Sequence, residues 1–102
     1  MAKTDVKTII KPNLDLEEPP KFKIIYVNDD VTTMEFVITS LIDFFSYTQE
    51  TAVSITEDIH THGSAVVAVL PYEIAEQKGI EVTTCARSKG YPLQVKIESE
   101  RV

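Results

Sequence analysis

The sequence predicts an α+β fold, in which three helices pack on one face of a three-stranded antiparallel sheet, forming a two-layer α/β sandwich behind a flexible N-terminal arm. Two observations support this prediction. Three segments repeat apolar residues at helical spacing, three others have strand-like composition, and their order is β-α-α-β-α-β. The chain has 102 residues, of which 43% are hydrophobic, so a single domain has enough apolar residues for a core.

Residues 1–21 are predicted to form the flexible arm, and residues 22–102 the folded core domain. The arm mixes lysine, threonine and acidic residues with three prolines, and Ile9 and Ile10 are its one strongly apolar pair. Met1–Lys11 lacks the continuous apolar core of a signal peptide. We therefore expect a cytoplasmic protein.

The first strand is predicted at Phe22–Asn28, because this run is rich in β-branched and aromatic residues. Thr32 and Glu35 have the spacing of a capping box and predict that a helix begins there. Its apolar residues form one continuous stripe. The members of the stripe are Met34, Val37, Ile38, Leu41, Ile42 and Phe45.

A second helix is predicted after the break at residues 46–48, with Thr48 as its N-cap. Ala52, Ile55 and Ile59 fall on one side of this helix. Gly63 follows where a left-handed C-cap is typical, so the helix should end there.

The remaining segments predict a strand, a helix and a strand. Ala65–Leu70 is wholly apolar, and Pro71 favours the start of a helix running from Tyr72 to about Ser88. Gly79 weakens this helix by about 1 kcal/mol relative to alanine, so a kink or an end is possible near it. Tyr91–Ser99 alternates apolar and polar residues, as a strand with one wet face does.

The charge of the chain excludes some partners. The formal net charge is −6, and because residues 1–21 are balanced, the whole excess lies on the core domain. An acidic domain repels phosphate, so we expect neither nucleic acid nor a membrane as a partner. A cationic ligand or a basic protein surface fits better.

Five polar residues are candidates for chemistry, and each has an ordinary structural explanation. Asn28, Asp29 and Asp30 after a strand are typical of a turn. His60 near a helix end can favour the helix dipole. His60 and His62 lack a third nitrogen or sulfur ligand nearby, so we expect no metal and no other cofactor. The sequence has no nucleophile motif or phosphate loop, so we do not expect an enzyme.

Together, these residues suggest a binding site. A strand end supplies an amide oxygen and carboxylates, and a helix end supplies an imidazole. Met34, Val37 and Ile59 could lie beside them as an apolar surface. An apolar pocket rimmed by hydrogen-bond acceptors suits an amine that is attached to a hydrophobic side chain.

Residues 22–102 closely resemble the ClpS adaptors, which deliver substrates with destabilising N-terminal residues to the Clp ATPase–protease. The resemblance rests on three stretches, which read YVNDDVTTMEFVITSLIDFFSY, IHTHG and YPL. It implies that the partners are the N-terminal domain of a Clp AAA+ ATPase and substrates that begin with Leu, Phe, Tyr or Trp. Residues 1–21 would help to hand the substrate over.

The resemblance also implies roles for individual residues. Asn28, Asp29 and His60 would bind the α-amino group, with Asp30 completing the motif, and Met34 would guard the side-chain pocket. The residues that would line or support this pocket are Thr32, Val37, Thr56, Ile59 and Leu93. The residues that would dock on the ATPase are Glu73, Glu76 and Lys78.

Thr56 departs from the family pattern, because this position is usually apolar. It lies one turn before His60, so its hydroxyl should reshape or wet the pocket. Two alternatives remain open: an interaction module like the C-terminal domain of the ribosomal stalk protein, and a small amidase or peptidase that uses Asp29, Asp30 and His60.

Overall fold

The computed structural model describes residues 19–101, and within them the chain forms six elements in the predicted order. These elements are β1 Lys21–Val27, α1 Met34–Phe45, α2 Gln49–His62, β2 Ser64–Pro71, α3 Tyr72–Ser88 and β3 Gln94–Ser99. Most of the predicted arm lies outside the described residues, so the division of the chain at residue 22 stays a prediction.

The sheet is antiparallel, and the central strand is β1, in the order β2-β1-β3. Ile24 and Tyr26 on β1 are fully buried, whereas their neighbours Ile25 and Val27 are partly exposed. This alternation shows that the helices cover one face of the sheet. The predicted fold class is therefore confirmed.

A β-bulge interrupts the pairing of β1 with β2. Ile24 lies opposite Ala68 and Ile25 lies opposite Val66, so Val67 is an extra residue. The Val67 side chain is buried, and its carbonyl accepts a hydrogen bond from the Tyr47 hydroxyl. This bond attaches the link between α1 and α2 to β2.

The start of α1 differs from the prediction by one residue. The N-cap is Thr33, whose Oγ1 accepts a hydrogen bond of 3.1 Å from the Phe36 N–H, so the capping box of Thr32 and Glu35 is wrong. Thr32 belongs to the preceding turn, where its backbone N–H and its hydroxyl both donate to the Asp29 carboxylate. By contrast, Thr48 does cap α2 and Gly63 does end it, with φ of 89°.

Helix α3 runs unbroken through Gly79, so it does not end there. Gly79 is buried, and an added Cβ would come within 3.2 Å of Cδ1 of Ile97 on β3. The glycine thus permits close packing of α3 on β3. Pro71 ends β2 and is also the N-cap of α3, which runs over Tyr72–Ser88 as predicted, whereas β3 begins at Gln94 instead of Tyr91.

A buried pair of hydroxyl groups joins the sheet to α1. The Ser40 hydroxyl donates to the Val37 carbonyl at 2.8 Å. It has one hydrogen, so the Tyr26 hydroxyl, 2.9 Å away, must donate to it. Burial raises the pKa of Tyr26 well above its usual value, although the hydrogen bond to Ser40 opposes this. Both groups are therefore satisfied inside the core.

Candidate functional site

Three chain segments surround the candidate site, and a backbone hydrogen bond joins two of them. The Asn28 N–H donates to the Gly63 carbonyl at 2.8 Å. Gly63 in turn donates to the Ile59 carbonyl at 2.9 Å, which closes the C-terminus of α2. The loop after β1 therefore begins beside the end of the helix that carries His60.

The carboxylate of Asp29 organises this loop, defined here as residues 28–33. Oδ1 accepts hydrogen bonds from the backbone N–H groups of Val31, at 2.8 Å, and Thr32, at 2.7 Å. Oδ2 accepts one from the Thr32 hydroxyl at 2.7 Å. The turn expected for an Asn-Asp-Asp sequence is thus present, and Asp29 holds it together.

The pKa of Asp29 lies below its ordinary value. Partial burial alone would raise this pKa, but the three hydrogen bonds from Thr32 and Val31, together with the nearby charge of Arg87, outweigh it. Asp29 therefore places a fixed negative charge under the loop at neutral pH.

The third segment, residues 91–93, connects α3 to β3 and lies against the start of α1. The Tyr91 and Phe36 rings pack with their centroids 5.2 Å apart. Nη1 of Arg87 donates to the carbonyls of both Tyr91, at 2.9 Å, and Leu93, at 2.8 Å. Residues 91–93 do not join the strand as the sequence predicted, because β1 ends at Val27, which pairs with Gln94, and has no residue opposite them.

The predicted site residues fall into two groups. Asn28, Asp30 and His60 are exposed, Met34 is 44% exposed, and Asp29 and Thr32 are partly buried. The other predicted pocket residues are at most 6% exposed and belong to the core, namely Val37, Thr56, Ile59 and Leu93. The structure thus separates exposed, mostly polar residues, called the rim below, from buried residues that belong to the core.

Thr56 does not wet the site as the sequence analysis expected. It is 2% exposed, and its hydroxyl donates to the Ala52 carbonyl one turn earlier, at 2.7 Å. The hydroxyl is satisfied within α2, so Thr56 resembles a small apolar residue toward its neighbours.

Sequence reasoning missed Val31, which is 59% exposed within the loop and three residues from Met34. An apolar residue inside a turn otherwise built from polar side chains was the available signal. Val31 and Met34 together give the rim an exposed apolar component.

The three residues expected to dock on a partner line three different cavities along α3. Glu76 lines a groove of about 320 Å³ together with Val95 and Ile97 of β3. Lys78 lines a different cavity, of about 390 Å³, with residues of β2. Because β2 and β3 are opposite edges of the sheet, these two side chains point to opposite sides of α3. Glu73 lies beside a cavity of about 450 Å³ with Tyr72 and Pro19.

Among residues 19–101, no cluster of three or more histidine, cysteine or acidic side chains is arranged to hold a metal ion. Within the same range, no helix has the length and apolar character needed to cross a membrane.

Comparison with known proteins identifies the family. Residues 17–96 match the family described as ATP-dependent Clp protease adaptor protein ClpS. A relative from Clostridium acetobutylicum, ATP-dependent Clp protease adapter protein ClpS, is 44% identical over 93 residues, which cover 91% of this chain and 92% of the relative. The chain is a ClpS family member. Another adapter protein ClpS, from Nautilia profundicola, is 40% identical over 92 residues, or 90% of this chain and 95% of the relative.

A solved structure shares the fold. It is Agrobacterium tumefaciens ClpS2 bound to L-phenylalaninamide, with a TM-score of 0.79 and 36% identity, and the match covers 81% of this chain and all of that one. ClpS proteins are adaptors of the Clp protease and not enzymes. The family assignment therefore decides for an adaptor over the stalk-like module and the amidase.

Proposed function

We propose that this ClpS protein binds the free α-amino group and the bulky hydrophobic side chain of a substrate's first residue, and delivers that substrate to a Clp ATPase–protease. The observation that carries the proposal is the hydrogen bond from the Asn28 N–H to the Gly63 carbonyl. It brings the amide and carboxylates of loop 28–33 to the end of the helix that carries His60.

The polar rim offers the acceptors that an ammonium group needs. An ammonium has three N–H donors and no acceptor. The Asn28 amide oxygen, an acidic side chain and a neutral His60 imidazole would accept these three hydrogens. The Asp29 carboxylate already accepts three hydrogen bonds, which leaves about one of its four acceptor positions for the amine or for a bridging water.

The apolar residues beside the rim suit the side chain of the first residue. Met34 is unbranched and half exposed, so it can adapt to different side chains, and Val37, three residues further along α1, is buried in the same core cluster as Ile59. Burying a Leu or Phe side chain contributes about 1.5–3 kcal/mol, and each charged hydrogen bond contributes a similar amount. After the entropy of association is subtracted, we expect a complex of about micromolar affinity.

The binding step is tested with peptides that differ only at the first residue, measured by calorimetry. We expect the unmodified protein to bind peptides beginning with Leu, Phe, Tyr or Trp. We expect Asn28→Ala and His60→Ala to weaken this binding at least tenfold, because each removes about one charged hydrogen bond. His62→Ala is the matched control, because His62 faces the Asp58 carbonyl of its own helix at 3.2 Å. Equal losses in all three variants would contradict the proposal.

The delivery step is tested by removing residues 1–21. We expect the shortened protein to bind the same peptides with unchanged affinity but to support less degradation by the ATPase–protease. Unimpaired degradation with the shortened protein would contradict the role of the arm.

We propose that docking on the N-terminal domain of the ATPase uses Glu73 and Glu76, with Lys78 contributing from the opposite side of α3.

A further inference from the structure

We propose that Arg87 is a positioning residue, which holds segment 91–93 against loop 28–33 and so fixes the two walls on either side of the substrate's first residue. This inference rests on the proposed function. Arg87 lies on the last turn of α3, so sequence position alone would give it only an interaction with the helix dipole.

The contacts of Arg87 support a more specific role. One nitrogen, Nη1, donates to the carbonyls of both Tyr91 and Leu93. Segment 91–93 contains Pro92, which lacks an N–H, and precedes the first residue of β3. Because the sheet ladder does not reach this segment, the guanidinium replaces ladder hydrogen bonds as its support.

The segment that Arg87 holds contacts loop 28–33 and the residues just after it. The Tyr91 hydroxyl lies 3.5 Å from the Thr33 hydroxyl, and the Tyr91 ring packs on Phe36. The positive charge of Arg87 also acts on the Asp29 carboxylate, which organises the loop. Arg87 therefore holds one wall by hydrogen bonds and helps to lower the pKa of Asp29 in the other through its charge, and Leu93 at the end of its segment is 1% exposed in the core.

The test compares Arg87→Met, Arg87→Lys and Lys89→Met with the unmodified protein. Arg87→Met removes the donors and the charge. Arg87→Lys keeps a cation, and because both hydrogen bonds come from one nitrogen, an ammonium with three donors can replace them. Lys89→Met removes the same charge two residues further on and serves as the matched control.

Two measurements are needed for each variant: the affinity for a Phe-initiated peptide and the backbone amide chemical shifts of residues 28–33. We expect Arg87→Met to weaken binding about tenfold, which corresponds to the loss of about one charged hydrogen bond. It should also shift the loop amides. We expect Arg87→Lys to restore most of the peptide affinity and most of the original loop chemical shifts. We expect Lys89→Met to change neither the affinity nor the shifts.

The outcomes separate this inference from the proposed function. The positioning role would be overturned if Arg87→Met left the peptide affinity unchanged or left the amide chemical shifts of residues 28–33 unchanged. It would also be overturned if Arg87→Lys bound the peptide no better than Arg87→Met. If the unmodified protein binds no peptide, the proposed function fails, and the amide shifts still decide whether Arg87 couples the two walls. A lower melting temperature with unchanged affinity would indicate that Arg87 acts on stability alone.

Discussion

Replacing Asp29 tests whether loop 28–33 is held by a single carboxylate. Asp29→Ala removes three hydrogen bonds of 2.7–2.8 Å, two to backbone N–H groups and one to the Thr32 hydroxyl. Hydrogen bonds to a charged group contribute about 1.5–3 kcal/mol each when buried. The loop is partly exposed, so water replaces much of this, and we expect a net loss of about 1–2 kcal/mol in unfolding free energy.

Asp29→Asn is the matched control, because its Oδ1 can still accept from both backbone N–H groups. It removes the charge and replaces Oδ2, which accepts from the Thr32 hydroxyl, with an N–H donor, so we expect it to lose about half as much unfolding free energy as alanine. Urea unfolding, read by circular dichroism, measures both variants. Equal stability of alanine, asparagine and aspartate at this position would refute the role given to the carboxylate.

The same comparison has a defined pH dependence. The folded-state pKa of Asp29 lies below its unfolded value, so the ionised carboxylate stabilises the fold. This stabilisation is fully present above the unfolded pKa of about 4 and is lost as the pH falls through the lower folded value. The stability difference between the protein and its Asp29→Asn variant should be constant from pH 8 to pH 5 and shrink in the acidic range. A stability difference that grows as the pH falls would mean that folding raises the pKa of Asp29 instead of lowering it, and this would contradict the account.

Two further predictions concern the core. Tyr26→Phe should cost about 1 kcal/mol, while Ser40→Ala should cost more because it leaves the buried Tyr26 hydroxyl without a partner, and the double variant should cost less than the sum of the two. Additive losses in thermal unfolding would contradict the pairing. Thr56→Val should change stability by less than about 1 kcal/mol and leave peptide affinity unchanged, because the lost hydroxyl serves only the Ala52 carbonyl. A clear change of affinity would show that the hydroxyl faces the bound side chain.

The sequence predicted the elements that depend on local chemistry. The order of the six elements, the cap at Thr48 and the left-handed end at Gly63 all follow from residue types within one turn of the chain. One failure is equally local. At the start of α1, two adjacent threonines could each cap the helix, and residue types alone do not show that the turn held by Asp29 includes Thr32 and that the helix begins after Thr33.

The candidate site shows the same division. The sequence placed an amide and carboxylates at the end of a strand and an imidazole at the end of a helix. Their proximity depends on the hydrogen bond between Asn28 and Gly63. The support from Arg87 could not be predicted, because it acts on carbonyl groups that any residue types would present. The burial of Thr56 depends on how α2 packs, which periodicity alone does not give.

The central claim is that the site recognises a charged chain end, and one pair of peptides tests it most directly. The two peptides begin with Phe and differ only in acetylation of the first nitrogen, which removes the positive charge and two of the three N–H donors. Two lost charged hydrogen bonds predict that the acetylated peptide binds at least about a hundredfold more weakly. Equal calorimetric affinity for the two peptides would contradict the claim.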